Sequence, residues 1–277
     1  MIGAKGSDRT RLDVEVTLAE VKKLQIDRSH RDARGLFYIE GVRNFIRAIE
    51  NNFNISTILF SEKLLTVPPA RKLVRRSRRQ GIPTINLTPE QFRSISCCPR
   101  ASGIGAIVRQ HWSKLHHVSP QVGLCWVALE TVRSPGNLGT LIRTSDAVGG
   151  AGFIFLGTKA DPFDPNVIRP SMGAIFHQKI VRTNFSSLHH WVRRHSCSVV
   201  GASPDGTADF HKFNYPRSTL LFFGEERQGL TRQQRDLCHD LVRIPMVGEA
   251  DSLNLAVAGS LLMYEVYRSG SFARSRN

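Results

Sequence analysis

Apolar and polar positions alternate in two ways over the first 110 residues. Short apolar runs have the length of β-strands, and segments with one apolar helical face lie between them, such as 42–49. The segment PPARKLVRRSRRQGIP (68–83) has Pro before its start and Gly at its stop, and Thr88 followed by Pro89 marks another helix start. The predicted strands are GLFYIE, STILFSE, TIN and GIGAIVRQ. This alternation predicts a small α/β module over about residues 28–110.

From Val122 onward, the apolar runs become longer and almost continuous. Six of them have strand length: GLCWVALE (123–130), GFIFLG (152–157), KIVRT (179–183), SVVGAS (198–203), STLLFFG (218–224) and LVRIPM (241–246). Helical patterns separate most of these runs, and continuous apolar strands are typical of a parallel sheet covered on both faces. The pattern therefore predicts an α/β domain, and the aperiodic stretch HWSKLHHVSPQ (111–121) is interpreted as a linker.

The charge distribution indicates the kind of partner that the protein binds. The 277 residues include 38 Lys+Arg and 23 Asp+Glu, a net charge of +15, which favours a polyanion such as nucleic acid. Residues 1–120 hold 21 basic and 10 acidic side chains, so the amino-terminal part is the better candidate for binding phosphate. The helix at 68–83 is expected to contact RNA backbone, with a solvated basic face as the alternative. Its arginines are Arg71, Arg75, Arg76, Arg78 and Arg79.

The remaining composition argues against several classes of protein. There is no apolar run of eighteen residues, so a transmembrane helix is not expected, and the first sixteen residues lack the apolar core of a signal peptide. The five cysteines form no CxxC pair, which favours a cytoplasmic protein with reduced thiols over a disulfide scaffold or a zinc site. The histidines of 111–117 have no second cluster to complete a metal site, so no metal is predicted.

Polar residues interrupt the apolar pattern in three places, each just past a predicted strand. In open α/β sheets, ligands bind at the carboxyl ends of the strands. The second segment lacks both GxGxxG and GxxxxGK[ST], so neither dinucleotide nor P-loop binding fits, and Thr231 is a predicted helix N-cap. The segments are LETVRSPGNLGTLIRT (129–144), LFFGEERQGL (221–230) and RIPMVGEADSLNLAVAGSLL (243–262).

Two helices in these segments have unusual composition. In NLGTLIRTSDAVG (137–149), Asn137 opens an apolar helix that carries Arg143 and Asp146. The last helix, which follows Asp251 or Ser252 as its predicted N-cap, is apolar around most of its circumference. A helix of that kind is buried on several sides, and a second subunit would supply one of them. We therefore expect a homodimer.

The three segments, in this order, resemble the signature motifs of SpoU-type (TrmH-like) RNA 2′-O-ribose methyltransferases of the SPOUT superfamily. The resemblance spans about residues 122–268, and the stretch GLFYIEGVRNFIRAI with ILFSEKLL is similar to the ribosomal-protein-like RNA-binding domain often attached to this family. The matching positions are Asn137-x-Gly139 with Arg143, Gly224-x-Glu226-x-x-Gly229, and Ile244-Pro245-Met246 with Ser252-Leu253-Asn254.

The resemblance implies a parallel sheet with a trefoil knot and an active site formed across a dimer interface. It places Arg143 beside the ribose 2′-hydroxyl as the catalytic residue, with Asn137, Glu226, Ser252 and Asn254 as positioning residues and Glu226 as a carboxylate partner for Arg143. It also implies that S-adenosylmethionine lies among Ser203, Phe223, Gly224, Ile244, Met246 and Leu253. Many relatives have a smaller residue where this chain has Glu225, and the sequence assigns that carboxylate no role.

The sequence does not determine the chemical role of Arg143. A guanidinium has a pKa above about 12, so it is a poor general base. It either grips a phosphate and orients the nucleotide, which demands less, or its pKa is strongly depressed. Alternatively, Arg143 forms a structural ion pair with Asp146 or Glu226.

The expected organisation is an RNA-binding domain at 1–110, a linker at 111–121 and a methyltransferase domain at 122–277. The separate amino-terminal module favours a large structured target, so ribosomal RNA is expected over transfer RNA. Other readings are a transfer RNA ribose methyltransferase, a non-catalytic RNA-binding or ribosome-assembly factor that keeps the fold, and a base-modifying methyltransferase of the same superfamily. The last fits less well, because those branches use different catalytic side chains.

Overall fold

The structure, a computed structural model, describes residues 4–274 and the side chains of residues 13–270. It forms two compact units, Met1–His111 with Phe163–Phe176, and Trp112–Pro162 with His177–Asn277. Within the described range, no helix combines the length and apolar character needed to cross a membrane.

The elements of the first unit follow the predicted alternation of strands and helices. In chain order they are α1 (Ala4–Ile26), α2 (Arg28–Arg34), β1 (Leu36–Glu40), α3 (Val42–Glu50), β2 (Ile55–Phe60), α4 (Pro68–Arg79), β3 (Thr84–Asn86), α5 (Pro89–Arg93) and β4 (Ile104–Arg109). The strands form one sheet in the order β1-β4-β2-β3, in which β4 is antiparallel to both neighbours and β2 is parallel to β3. The predicted N-cap at Thr88 is confirmed, because its side chain and that of Gln91 form a capping box.

The second half of the chain supplies the remaining elements. They are β5 (Cys125–Leu129), α6 (Pro135–Ala147), β6 (Gly152–Leu156), α7 (Pro165–Ser171), β7 (Lys179–Thr183), α8 (Phe185–Arg194), β8 (Ser198–Ala202), β9 (Ala208–Asp209), β10 (Thr219–Phe223), α9 (Arg232–Leu237), β11 (Asp240–Arg243) and α10 (Leu255–Arg274), with short 3-10 turns at Leu115–His117 and Ala174–Phe176. Of these, α7 and the turn after it belong to the first unit.

The segment 163–176 differs from the predicted domain organisation, which assigned it to the second domain. The Phe163 ring packs on Phe37 of β1 with centroids 4.8 Å apart, and Phe176 stacks on the same ring at 6.5 Å. Arg31, which is almost fully buried, is 3.3 Å from the Asp164 carboxylate. These contacts make the segment part of the core of the first unit.

The stretch 111–121, interpreted from the sequence as a linker, is not a separate connection in the structure. Residues 112–121 belong to the second unit, in which the Ser113 N–H donates to the Ile180 carbonyl at 2.7 Å. Two buried indoles, those of Trp126 and Trp191, donate to the carbonyls of Ser119 and Val118 at 3.0 and 3.1 Å. Most of this stretch is therefore held against the second unit by main-chain hydrogen bonds.

The second unit is built on a seven-stranded sheet in the order β7-β6-β5-β10-β8-β11-β9. Every pairing in it is parallel, which confirms the predicted parallel sheet. All residues of β5, β6 and β10 are buried, and this explains their continuous apolar sequences. Because the strands are parallel, the loops after β5, β8, β10 and β11 emerge at the same edge of the sheet.

Candidate active site

A cavity of about 400 Å³ lies at this edge of the second unit, among the loops that follow β8, β10 and β11. Its volume is in the range of about 300–1,000 Å³ that is typical of small-molecule sites. The six residues predicted to bind a cofactor all line it, together with Glu226 and Ser252 from the predicted catalytic set. The six predicted cofactor-binding residues are Ser203, Phe223, Gly224, Ile244, Met246 and Leu253.

Gly224 and Gly229 let the main chain turn tightly beside the cavity. Glu225 and Gly229 pair through two main-chain hydrogen bonds of 3.2 and 2.9 Å, and Gly229 has a φ of +66°. A Cβ atom at position 224 would overlap the backbone of Gly229 and Leu230. Glycine at 224 is therefore required by close main-chain packing, and the loop exposes backbone groups to the cavity.

Glu225, for which no role could be predicted, closes this loop. Its carboxylate accepts the main-chain N–H groups of Gln228 at 2.8 Å and Arg227 at 3.0 Å, and it also pairs with the Arg133 guanidinium. The hydrogen bond from Gln228, followed by those from Arg227 and Arg133, holds the pKa of Glu225 below its usual value. Glu225 thus joins the loop after β10 to the loop after β5.

Glu226 stabilises the amino terminus of α6. Its carboxylate accepts the N–H groups of Arg133 and Ser134 at 3.0 and 3.3 Å, and the amide of Asn137 at 3.3 Å. Ser134 is the N-cap residue but makes no side-chain cap bond, so a carboxylate from another segment fills that role. Within the single chain, Glu226 pairs with these groups and not with Arg143.

Asn254 is the residue that begins α10, and this corrects the prediction of Asp251 or Ser252 as N-cap. Its Oδ1 accepts the N–H groups of Ala256 at 2.8 Å and Val257 at 3.4 Å. Its carbonyl accepts the first helical hydrogen bond, from Ala258 at 2.9 Å. Asn254 is thus fixed by the helix that it caps.

A chain of hydrogen bonds connects the three motif segments. The carboxylate of Glu226 only accepts, so it takes the Asn137 Nδ2 group as donor, which leaves Asn137 Oδ1 as an acceptor. That oxygen accepts from Asn254 Nδ2 at 3.0 Å. The orientation of both amides is therefore set by partners at each end, and three of the five residues predicted to be catalytic are joined.

The helices α6 and α10 are held together further along. The Oγ atoms of Thr144 and Ser260 are 2.9 Å apart, and a Cβ atom at Gly259 would meet the side chain of Leu141. Leu138, Leu141 and Ile142 are buried, as the apolar face of this helix predicted. The helix begins two residues earlier than predicted, so Asn137 lies in its first turn.

Arg143 lies apart from this chain. It is exposed on the outward face of α6, about 9 Å along the helix axis from Asn137 by the usual rise per residue. No described residue forms a hydrogen bond or ion pair with its side chain, while Asp146 is paired with His177 at 3.0 Å. Neither ion pair considered from the sequence is present, and Arg143 does not line the cavity of its own chain.

The predicted RNA-binding arginines lie on α4 in the first unit. Arg71 donates to the main-chain carbonyls of Leu65 and Glu62, the latter at 2.9 Å, so it supports the loop after β2. The other four arginines are exposed, and none has a hydrogen bond or ion pair with another described residue.

Arg133 is a site residue that the sequence interpretation missed. It supplies a guanidinium to Glu225 and a main-chain N–H to Glu226. The contact could have been predicted, because the loop after β5 carries a cation and the loop after β10 carries two adjacent carboxylates. The loops that follow parallel strands meet at one edge of the sheet. The pair of Arg235 on α9 with Asp205 in the loop after β8 was also not predicted; the two side chains are 3.1 Å apart and both residues line the cavity.

A parallel α/β sheet with a cavity formed by main-chain turns at its carboxyl edge defines an α/β ligand-binding protein. The second and third motif segments line this cavity, and Asn137 of the first segment is hydrogen-bonded to both of them. Comparison with known families identifies it further. Residues 125–264 match the SpoU rRNA Methylase family, and residues 17–106 match an MRM3-like substrate binding domain. The chain belongs to the SpoU rRNA methylase family.

Similar proteins cover nearly the whole chain. The 23S rRNA (uridine(2479)-2′-O)-methyltransferase of Streptomyces viridochromogenes is 31% identical over 249 residues, which are 87% of this chain and 86% of that protein. The AdoMet-bound rRNA methyltransferase from Sinorhizobium meliloti superposes with a TM-score of 0.83 at 30% identity, covering 91% of this chain and 94% of that one. The SpoU methyltransferase AviRb from Streptomyces viridochromogenes, in complex with AdoMet, has a TM-score of 0.83 at 30% identity, covering 92% and 98%.

Proposed function

We propose that this protein transfers the methyl group of S-adenosylmethionine to a ribose 2′-hydroxyl of ribosomal RNA. The observation that carries the proposal is the hydrogen-bond chain Glu226–Asn137–Asn254, which joins the three motif segments at the rim of a cofactor-sized cavity. Family membership supports it, as do a relative named for 23S rRNA 2′-O-methylation and a similar structure with AdoMet bound.

The cavity suits S-adenosylmethionine. Phe223, Leu230 and Val242 give it an apolar side for the adenine ring, and each is less than 5% exposed. The N–H groups of Met246 and Leu253 donate to no atom of the described residues and are available to a ligand. The bound cofactor supplies an electrophilic methyl group on a sulfonium, and the cavity residues hold it through main-chain groups and apolar contact.

Arg143 binds the RNA phosphate next to the nucleotide that is methylated, and it thereby orients the ribose. A guanidinium keeps its proton at neutral pH, and this one is exposed without an ion pair to any described residue, so its donors are available to an anion. The hydroxyl proton then leaves to solvent. Positioning of the ribose supplies most of the rate, and Asn137, Asn254 and Ser252 complete that positioning.

The active site is completed in a homodimer. Four apolar side chains of α10 stay between 39% and 53% exposed in the single chain, on the helix that packs against α6: Leu261, Val257, Tyr267 and Tyr264. A contiguous apolar stripe of this kind is typical of a protein interface. A second copy that covers the stripe brings Arg143 towards the partner's cavity, which accounts for its separation from the cavity of its own chain. The trefoil knot implied by the family resemblance belongs to the same proposal.

The first unit binds the RNA. It matches an MRM3-like substrate binding domain, and residues 1–120 carry 21 of the 38 basic side chains. A separate binding unit suits a large structured substrate, so ribosomal RNA is favoured over transfer RNA. We infer as well that the protein acts in rRNA processing and in the cytoplasm.

The test is methyl transfer from labelled S-adenosylmethionine to ribosomal RNA that lacks the modification. Arg143→Ala is expected to lose roughly 100-fold or more in rate, the scale of a lost positioning group, while calorimetry shows unchanged cofactor binding. Arg194→Ala, which removes an exposed arginine of α8, serves as the matched control. Full activity of Arg143→Ala refutes the assigned role. RNA binding by the wild type without methyl transfer to any RNA refutes the enzyme and favours a non-catalytic assembly factor.

A further inference from the structure

Helix α4 carries two basic stripes that face different surroundings. Residues spaced i, i+4 and i+7 share one face of a helix, and a shift of one position rotates the face by about 100°. The buried face is formed by Ala70, Val74 and Ser77. The next stripe around the helix is Arg71, Arg75 and Arg78, and the one beyond it is Lys72, Arg76 and Arg79.

The stripe formed by Arg71, Arg75 and Arg78 lines a cavity in the first unit. The cavity has a volume of about 320 Å³ and lies between α4 and the loop that follows β2. Phe60, Leu65 and Val74 give it an apolar floor, since each is at most 8% exposed. Lys72, Arg76 and Arg79 do not line it. Its volume lies near the lower limit of about 300 Å³ for small-ligand sites.

The wall of this cavity is fixed by Arg71. The guanidinium donates to the main-chain carbonyls of Leu65 and Glu62, and the Leu65 N–H donates to the Ser61 carbonyl at 2.8 Å. These hydrogen bonds fix the loop after β2 to α4. The charge of Arg71 is used in the wall, so its role is structural.

Arg75 and Arg78 are the two cations that remain available at the cavity. Neither forms a hydrogen bond or ion pair with any residue in the described part of the chain. Glu62 also lines the cavity, and it is a side-chain acceptor there. The cavity therefore combines an apolar floor, two guanidiniums and one carboxylate.

We infer that this cavity binds a single unpaired nucleotide of the RNA substrate. Unpaired bases are bound against apolar, aromatic or guanidinium surfaces, and arginine pairs with the adjoining phosphate. The Glu62 carboxylate accepts an N–H from the edge of the base. A phosphate alone would not need the apolar floor, and an uncharged apolar ligand would not need two cations. The inference rests on the proposed function, because it takes RNA as the ligand.

The two stripes then have separate tasks. Arg75 and Arg78 recognise the unpaired nucleotide, whereas Lys72, Arg76 and Arg79 contact the backbone of the same RNA without regard to sequence. This divides the arginine cluster predicted from the sequence into a structural residue, a pocket pair and an outward pair.

The experiment uses the full chain and two RNA hairpins. One carries a single bulged adenosine, and the other carries an abasic nucleotide at the same place. The wild type is expected to bind the first roughly tenfold more tightly, within the range for stacking one base. Arg75→Ala/Arg78→Ala removes the guanidinium surfaces that hold the base beside the apolar floor, so it is expected to lower this ratio. The control Arg76→Ala/Arg79→Ala removes the same charge from the same helix, so it should weaken both complexes and keep the tenfold ratio.

The outcomes separate this inference from the proposed function. The inference is overturned if the wild type does not distinguish the hairpins, or if the two double variants change the ratio equally. Because these affinities are measured without cofactor, such a result leaves methyl transfer to be judged by its own assay. If the wild type distinguishes the hairpins but methylates no RNA, the enzyme assignment is refuted, while the inferred nucleotide pocket is supported.

Discussion

Glu226→Ala is expected to destabilise α6 and to disturb the site that α6 carries. The substitution removes the carboxylate that accepts the N–H groups of Arg133 and Ser134, and Ser134 has no side-chain cap bond to replace it. Loss of a helix N-cap costs about 0.5–2 kcal/mol, and loss of a negative charge there costs about 0.3–1 kcal/mol more. Taken together, the expected loss is about 2 kcal/mol. For a chain of this size that lowers Tm by roughly 4–8 °C.

The same substitution frees the amide of Asn137, which then has only Asn254 to orient it. We expect kcat for methyl transfer to fall more than cofactor affinity does. Glu226→Gln keeps one acceptor oxygen and loses the charge, so its Tm should lie between those of the wild type and Glu226→Ala. Melting followed by circular dichroism gives Tm, and labelled methyl transfer gives kcat.

Glu249→Ala is the matched control, because this exposed carboxylate has no hydrogen-bond or ion-pair partner among the described residues. It should melt with the wild type. If Glu226→Ala also melts within about 1 °C of the wild type, a small fraction of the expected shift, and retains full activity, the assigned capping role is incorrect.

Three further predictions concern the cavity and the dimer. Gly224→Ala should abolish cofactor binding in calorimetry, because the added Cβ atom would overlap the backbone of Gly229 and Leu230. Gly270→Ala on α10 is the control, since a Cβ atom there makes only ordinary contacts, and this variant should bind the cofactor normally. Equal binding by both variants would contradict the close packing at position 224. The pKa of Glu225 is depressed, so its stabilisation is present above the ordinary carboxyl pKa and is lost as pH falls through the depressed value. The Tm difference between wild type and Glu225→Gln should therefore shrink on acidification, and a constant difference would count against the loop-closing role. Leu261→Glu places a charge in the exposed stripe, so light scattering should report the 31.0 kDa monomer, and a persistent dimer would exclude this interface.

Features determined by local sequence could be predicted well. The strands β5, β6 and β10 were found because every residue in them is buried, which leaves a continuous apolar run. The caps Thr88 and Thr231 could be predicted because threonine is a good N-cap by type, and Pro89 follows Thr88 at the first helical position. Both form capping boxes with a glutamine three positions later. The two-residue strand β9 gave no such run and was missed.

Features determined by distant partners could not be predicted. Glu226 was expected to pair with Arg143, but within the chain it accepts from the Asn137 amide and from main-chain N–H groups 92 and 93 positions away. No side-chain pattern reveals the main-chain partners. The N-cap of α10 was misplaced because Asp251, Ser252 and Asn254 are all good cap residues by type. The transfer of 163–176 to the first unit depends on aromatic packing with Phe37, a contact far apart in sequence.

The position of the methyl group in the product shows directly whether the ribose 2′-hydroxyl is the acceptor. Ribosomal RNA from cells that lack this protein is incubated with the wild type and labelled S-adenosylmethionine, then hydrolysed with alkali. We predict label in an alkali-resistant dinucleotide, because a methylated 2′-oxygen cannot assist cleavage, and a rate of labelling roughly 100-fold lower or less with Arg143→Ala. Label on a nucleobase, or an unlabelled RNA despite measured cofactor binding, would contradict the account.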